Sequence, residues 1–98
     1  MKIIEKLIDH ITDEIEGAEE YAEKSIECRA RGHNNRASKY KEMAHDELRH
    51  AEEIYTFAEE DIEAIRRAHP LTVDEEELWA HFKKRMHEHV SRIKNYIN

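Results

Sequence analysis

Ala44-His45-Asp46-Glu47-Leu48-Arg49-His50-Ala51-Glu52-Glu53 places a Glu three residues ahead of a His inside a run with helical periodicity. Residues three apart share one face of an α-helix, with Cβ atoms about 5–6 Å apart, so the Glu47 carboxylate and the His50 imidazole can reach one ion together. Reading outward in both directions, Ala37, Tyr40, Ala44, Glu47, Ala51, Ile54 and Ala58 form a stripe at alternating spacings of three and four. The stripe is small, apolar or aromatic except at Glu47. A carboxylate on such a seam must be paired, protonated or coordinated. The alternative is a core carried by Met43 and Leu48, with Glu47 at its wet edge.

The same pattern extends through the chain. Ile4, Leu7, Ile11, Glu14, Ala18, Tyr21, Ser25 and Cys28 define a first helix over about 2–31, again with one carboxylate on the seam. Ile8, Ile15, Ala22 and Ile26 widen its apolar face, while Glu16, Glu19, Glu20, Glu23 and Glu27 read as a solvated face. Gly17 costs a helix about 1 kcal/mol relative to Ala, which marks either the close approach of another backbone or a local bulge. Gly32 suits a left-handed cap, and Asn34 or Asn35 can cap the next helix, so a tight antiparallel hairpin is expected. The second helix spans about 35–68, with Tyr40, Ala44, Glu47, Leu48, Ala51, Ile54, Phe57, Ile62 and Ile65 facing inward and Pro70 beyond its end. Thr72 and Glu75 form a capping box for a third helix over about 73–97. The inward positions of that helix are Leu78 or Trp79, Phe82, Met86, His89 or Val90, Ile93, and Tyr96 or Ile97. No carboxylate partner shares the seam with His81, His87 and His89, His81 and His87 point off it, and a structural reading is expected for all three.

With 98 residues, 39% hydrophobic and 40% charged, the chain is one domain, 1–98, able to bury only a modest core by itself. Two glycines and one proline suit long helices, and the fold class is all-α. A net charge of -7 argues against a nucleic-acid or anionic-membrane surface. No apolar run is long enough to span a bilayer, no signal peptide is evident, and a cytoplasmic location is expected. The single Cys28 reads as a core thiol and excludes an intrachain disulfide or a zinc-ribbon, rubredoxin-type or iron–sulfur site. Repeats, phosphate loops and nucleophile elbows are absent, which leaves hydrolase and nucleotide-binding readings without support.

Glu14 lies 18 residues before Gly32 and Glu47 lies 15 after it. At about 1.5 Å per residue an antiparallel hairpin therefore brings the two carboxylates to nearly the same level. Glu14, Glu47 and His50 are too few to neutralise and saturate two divalent ions, but a twofold axis would supply the set again.

The pattern Glu14…Tyr21…Gly32…Tyr40…Ala44-x-x-Glu47-x-x-His50-Ala51-Glu52 resembles the first helical hairpin of the ferritin-like superfamily, closest to its rubrerythrin and encapsulated-ferritin branches, over roughly residues 4–58. The resemblance implies that Glu14, Glu47 and His50 are ligands of half a carboxylate-bridged di-iron site, with Tyr21 and Tyr40 as neighbouring aromatics. It implies a hairpin that dimerises into a four-helix bundle, as a homodimer or higher homo-oligomer, and an encapsulating shell protein as a partner. Three departures stand beside it. Residues 72–98 give one helix without a second Glu-x-x-His, no Cys-rich electron-transfer domain is present, and Lys94-Asn95-Tyr96-Ile97-Asn98 does not resemble a shell-targeting peptide. Carboxylate and imidazole donors suit iron first, with Mn or Zn as alternatives. The function expected is oxidation of Fe(II) by O2 or peroxide, a ferroxidase in iron handling. The alternatives are a non-enzymatic helical interaction module and a metal-stabilised dimer without turnover.

Overall fold

A computed structural model describes residues 2–98 and contains three α-helices: α1 (Lys2–Ala30), α2 (Asn34–Ala68) and α3 (Val73–Ile97). The fold is all-α, and its helix bounds lie within a residue or so of those read from periodicity and breakers. Gly32 takes φ 79°, and the His33 N–H donates to the Cys28 carbonyl at 2.8 Å, closing the end of α1 in the left-handed conformation that glycine tolerates best. The start of α2 differs from expectation. His33 occupies the cap position with no side-chain hydrogen bond, and both Asn34 and Asn35 lie inside the helix. The capping box is present as read: the Glu75 N–H donates to the Thr72 hydroxyl at 3.1 Å, and the Thr72 N–H donates to the Glu75 carboxylate at 2.9 Å. The hydrogen bond from the Thr72 backbone N–H holds the Glu75 carboxyl below its ordinary range.

The core follows a strict seven-residue repeat. Ile4, Ile11, Ala18 and Ser25 are buried on α1, Ala37, Ala44, Ala51 and Ala58 on α2, and Trp79, Met86 and Ile93 on α3. Ile15 and Ala22, Leu48 and Ile62, and Ile97 complete it. Of the alternatives left open on α3, Trp79 and Ile97 are buried, whereas Leu78 and Tyr96 are exposed. Two residues assigned inward lie outside: Phe57 is 61% exposed and Ile26 is 44% exposed. Both have apolar side chains at plausible helical phase, but each sits at the rim of its stripe where no helix covers it. Cys28 is only half-buried, not a core thiol.

α1 and α2 pair along their length. The buried Ser25 hydroxyl donates to the Ala37 carbonyl at 2.8 Å, and Tyr21 stacks on Tyr40 with ring centroids 6.1 Å apart. These contacts fix the register of the hairpin. α3 lies against one side of it. Trp79 stacks on Tyr55 at 5.8 Å and on Phe82 at 5.4 Å, and Lys94 reaches Glu52 at 3.1 Å. Burial first, and then Glu59, push the Tyr55 phenol up to about 12. At the α2–α3 turn, Arg66 donates through Nε and Nη2 to both oxygens of Glu76, at 3.0 and 2.6 Å. This bidentate pair raises the guanidinium further and holds the Glu76 carboxyl below its ordinary range.

On α1, the residues facing α3 include Ile8, Thr12, Ile15 and Glu16, which line a groove of about 410 Å³ with Phe82 and Met86. Glu19 belongs to the same side. Its carboxylate meets His89 Nε2 at 3.0 Å, so a carboxylate does reach His89, from another helix. Within-helix periodicity could not reveal that contact. The opposite side of the hairpin carries a second stripe: Leu7, His10, Glu14, Gly17 and Tyr21 on α1, and Tyr40, Met43, Glu47, His50, Ile54 and Phe57 on α2. α3 leaves this side open.

Candidate metal centre

Glu14, Glu47 and His50 meet on that open side, and one donor atom from each lies within 4.8 Å of the others. The chain forms this cluster because two seams with seven-residue periodicity run antiparallel. One heptad from the Tyr21–Tyr40 stack, each helix offers a carboxylate at the matching level. His50 follows Glu47 by nearly one turn and tilts back toward it, as helical side chains do. Its Nδ1 is 3.6 Å from Glu47 Oε1 and 4.0 Å from Glu14 Oε2. Two donors on one ion at about 2.0–2.2 Å each are at most about 4.4 Å apart, so only a small contraction separates this arrangement from a coordination sphere.

Glu47 does not lie deep in the core. Its side chain is 28% exposed, beside the fully buried Ala44 and the nearly buried Leu48. It therefore sits at the edge of the seam within one chain, the position anticipated by the wet-edge alternative, although Met43 is exposed and carries no core. Its electrostatics are nonetheless those of a strained pair. A hydrogen shared with Glu14 raises the Glu47 carboxyl most, partial burial and the Glu14 charge add to this, and His50 opposes all three. Two carboxylates this close hold a proton between them or need a cation.

Gly17 is explained by the same group. A Cβ built at Gly17 would lie 3.2 Å from Glu47 Oε2 and 3.9 Å from its Cδ. The missing side chain makes room for a carboxylate rather than for another backbone, and α1 runs through Gly17 as continuous α-helix without a bulge. Gly17→Ala is expected to stabilise the metal-free fold by up to about 1 kcal/mol through helix propensity, because the Glu47 terminus can yield a few tenths of an ångström. The same shift moves a donor atom, so affinity for divalent metal falls. Thermal melts with and without metal check both signs, and an unchanged metal affinity would remove Gly17 from the site.

Tyr21 and Tyr40 are half-buried one heptad from the carboxylates, with Lys24 Nζ 5.8 Å from the Tyr40 ring centroid. His81 and His87 are exposed; His87 stands edge-on to Tyr55 at 6.3 Å, and His81 lines the α1–α3 groove. None of them joins the cluster. Spacing along the seams, with the count across the turn at Gly32, was enough to anticipate that Glu14, Glu47 and His50 meet. The role of Gly17 shows only in three dimensions, although its conformational cost was the signal. No helix among the described residues is long and apolar enough to cross a membrane. The chain matches no protein-family model, no curated protein and no solved structure.

Proposed function

We propose that this chain is half of a ferritin-like di-iron carboxylate protein that oxidises Fe(II) with O2 or peroxide, at a site completed by a second copy. The observation that carries this reading is the convergence of Glu14, Glu47 and His50 on the side of the hairpin that α3 leaves open. The donors fit the group. Hard carboxylate oxygens with one imidazole suit iron or manganese, and zinc is accepted by the same atoms. The raised Glu47 carboxyl would give up its proton on binding a cation, and Gly17 provides the space its oxygen occupies.

One chain contributes two carboxylates, which neutralise one divalent ion. Two chains contribute four Glu and two His, enough for two ions on a twofold axis. Exposed Phe57 and Met43, with half-buried Leu7, Tyr21, Tyr40 and Ile54, flank the cluster with apolar surface that a second hairpin would cover. In this assembly Glu14, Glu47 and His50 would hold the cations, and the tyrosines and alanines would limit access of water. Fe(II) held there would give up one electron per ion to O2 or peroxide. Fe(III) departure and Fe(II) replacement, or a separate reductase, would reset the site. Acidic outer faces favour the first route by attracting Fe(II).

Aerobic addition of several equivalents of Fe(II), followed by ferric absorbance against a protein-free blank, tests the activity. Wild type is expected to exceed the blank and Glu14→Ala to fall to it. Equal rates for all three would leave a structural helical module as the better account. Sedimentation with Fe(II) under anaerobic conditions tests the assembly: a dimer or larger species is expected, and a stable folded monomer at micromolar concentration contradicts it.

A further inference from the structure

We infer that the second copy lays its α2 antiparallel against α2 of the first, in a register fixed by Arg36 of each chain meeting Asp61 of the other. This inference rests on the shared metal site proposed above and deepens it by naming the surface through which the copy docks.

The side of α2 that α3 leaves open carries four pairs of residues placed symmetrically about the midpoint between Leu48 and Arg49: Arg36 with Asp61, Tyr40 with Phe57, Met43 with Ile54, and Glu47 with His50. Along the helix these positions alternate at spacings of four and three, the pattern of a helix-packing seam. Phe57 is 61% exposed and Met43 39%, because no helix of this chain covers them. Tyr40 and Ile54 are half-buried.

Across a twofold axis, a residue that meets a second residue on the partner is met in turn by the partner's copy of itself on that second residue. With the axis at the midpoint and the two α2 helices antiparallel, each of the four pairs becomes a contact between chains, made twice. Base meets acid at the ends, ring meets ring, and Met43 meets the aliphatic Ile54. The Glu47–His50 level coincides with the axis, so the two clusters of Glu14, Glu47 and His50 stand next to each other. The alternatives are worse. Parallel helices would set Glu47, Arg36 and Asp61 each against its own copy, like charge on like. A slip of one heptad would set Glu47 against Met43 or Phe57, which leaves a carboxylate facing apolar surface.

Arg36 and Asp61 are exposed, and neither has a hydrogen bond or ion pair among the described residues. At about 1.5 Å per residue the seam between them is about 37 Å long. Opposite charges at the two ends of such a seam select orientation and register, as flanking charges do in coiled coils.

The test is sedimentation equilibrium of Zn(II)-loaded protein for wild type, Arg36→Glu, Asp61→Lys and the double variant. Each single reversal is expected to weaken the dimer on the order of tenfold by placing like charges together, and the double variant to recover the wild-type affinity. Met43→Cys combined with Ile54→Cys, in a Cys28→Ser background, is expected to oxidise to a disulfide-linked dimer, whereas Met43→Cys alone stays unlinked. Circular dichroism verifies that the variants keep their helices. A wild-type dimer whose affinity ignores both reversals, or is not recovered in the double variant, overturns the register and leaves the shared site standing. So does a Met43→Cys chain that links to its own copy. A wild-type chain that stays monomeric with zinc at micromolar concentration overturns the shared site and this inference together.

Discussion

Glu47→Ala is expected to lose most bound iron while keeping its helices, and the loss in affinity should exceed the ~10–100-fold typical of removing a group that merely supports a ligand. The residue touches both other members of the cluster, and its carboxylate supplies charge as well as a donor atom. Metal analysis after reconstitution, together with far-ultraviolet circular dichroism, checks the result; full iron occupancy in the variant would make Glu47 a structural residue. Glu47→Gln adds a second readout. The folded carboxyl holds its proton above the ordinary value of 4.5. Between those two values the folded chain binds more protons than the unfolded chain, so stability falls as pH rises through that window. Above it the penalty of the ionised pair is fully present, and below the ordinary value it is absent. Without metal, Glu47→Gln should melt higher than wild type at neutral pH, and the difference should close under acid. A residue that weakens the empty fold and is recovered on loading is the behaviour expected of a site built for a cation.

The second large effect concerns the fold. Trp79→Ala is expected to cost about 3–5 kcal/mol, the range for removing a buried aromatic. Trp79 is only 2% exposed and joins Tyr55 of α2 to Phe82 of α3 by ring stacking. Small domains hold roughly 5–15 kcal/mol in total, so this loss consumes much of the margin. Denaturant titration measures it, and hydrogen exchange should show α3 amides losing protection before those of the hairpin. A change below about 1 kcal/mol would show that α3 is held by its polar contacts, Lys94–Glu52 and Arg66–Glu76, instead.

The three helices, the glycine turn and the capping box were legible in sequence because each depends on residues close together in the chain. So was the meeting of Glu14 with Glu47: once a tight turn forces two helices antiparallel, counting from Gly32 sets their levels. What periodicity could not supply was the side of the hairpin that α3 covers. Each helix has an apolar face wide enough to serve two neighbours, so Phe57 and Ile26 looked as inward as Ile54 and Ala22. The position of α3 decides the difference. The same blindness hid the contact between Glu19 and His89, which are 70 residues apart. At the turn, Asn34 and Asn35 have the right chemistry for a cap, but the chain enters the helix one residue earlier, and His33 stands in the cap position without bonding.

The buried alanines have a consequence beyond filling space. Ala18 and Ala44 are both fully buried, between the layer of carboxylates and the layer of stacked tyrosines. Helix axes settle about 8–10 Å apart according to the bulk at their contact, and methyl groups hold this pair toward the close limit. The gap between Glu14 and Glu47 is therefore set by residues that would not touch an ion bound between them. On the metal-site reading α1 and α2 would work like the jaws of a fixed caliper: ions whose bond lengths match the opening would seat without moving the backbone, and those that do not would have to bend two long helices to fit.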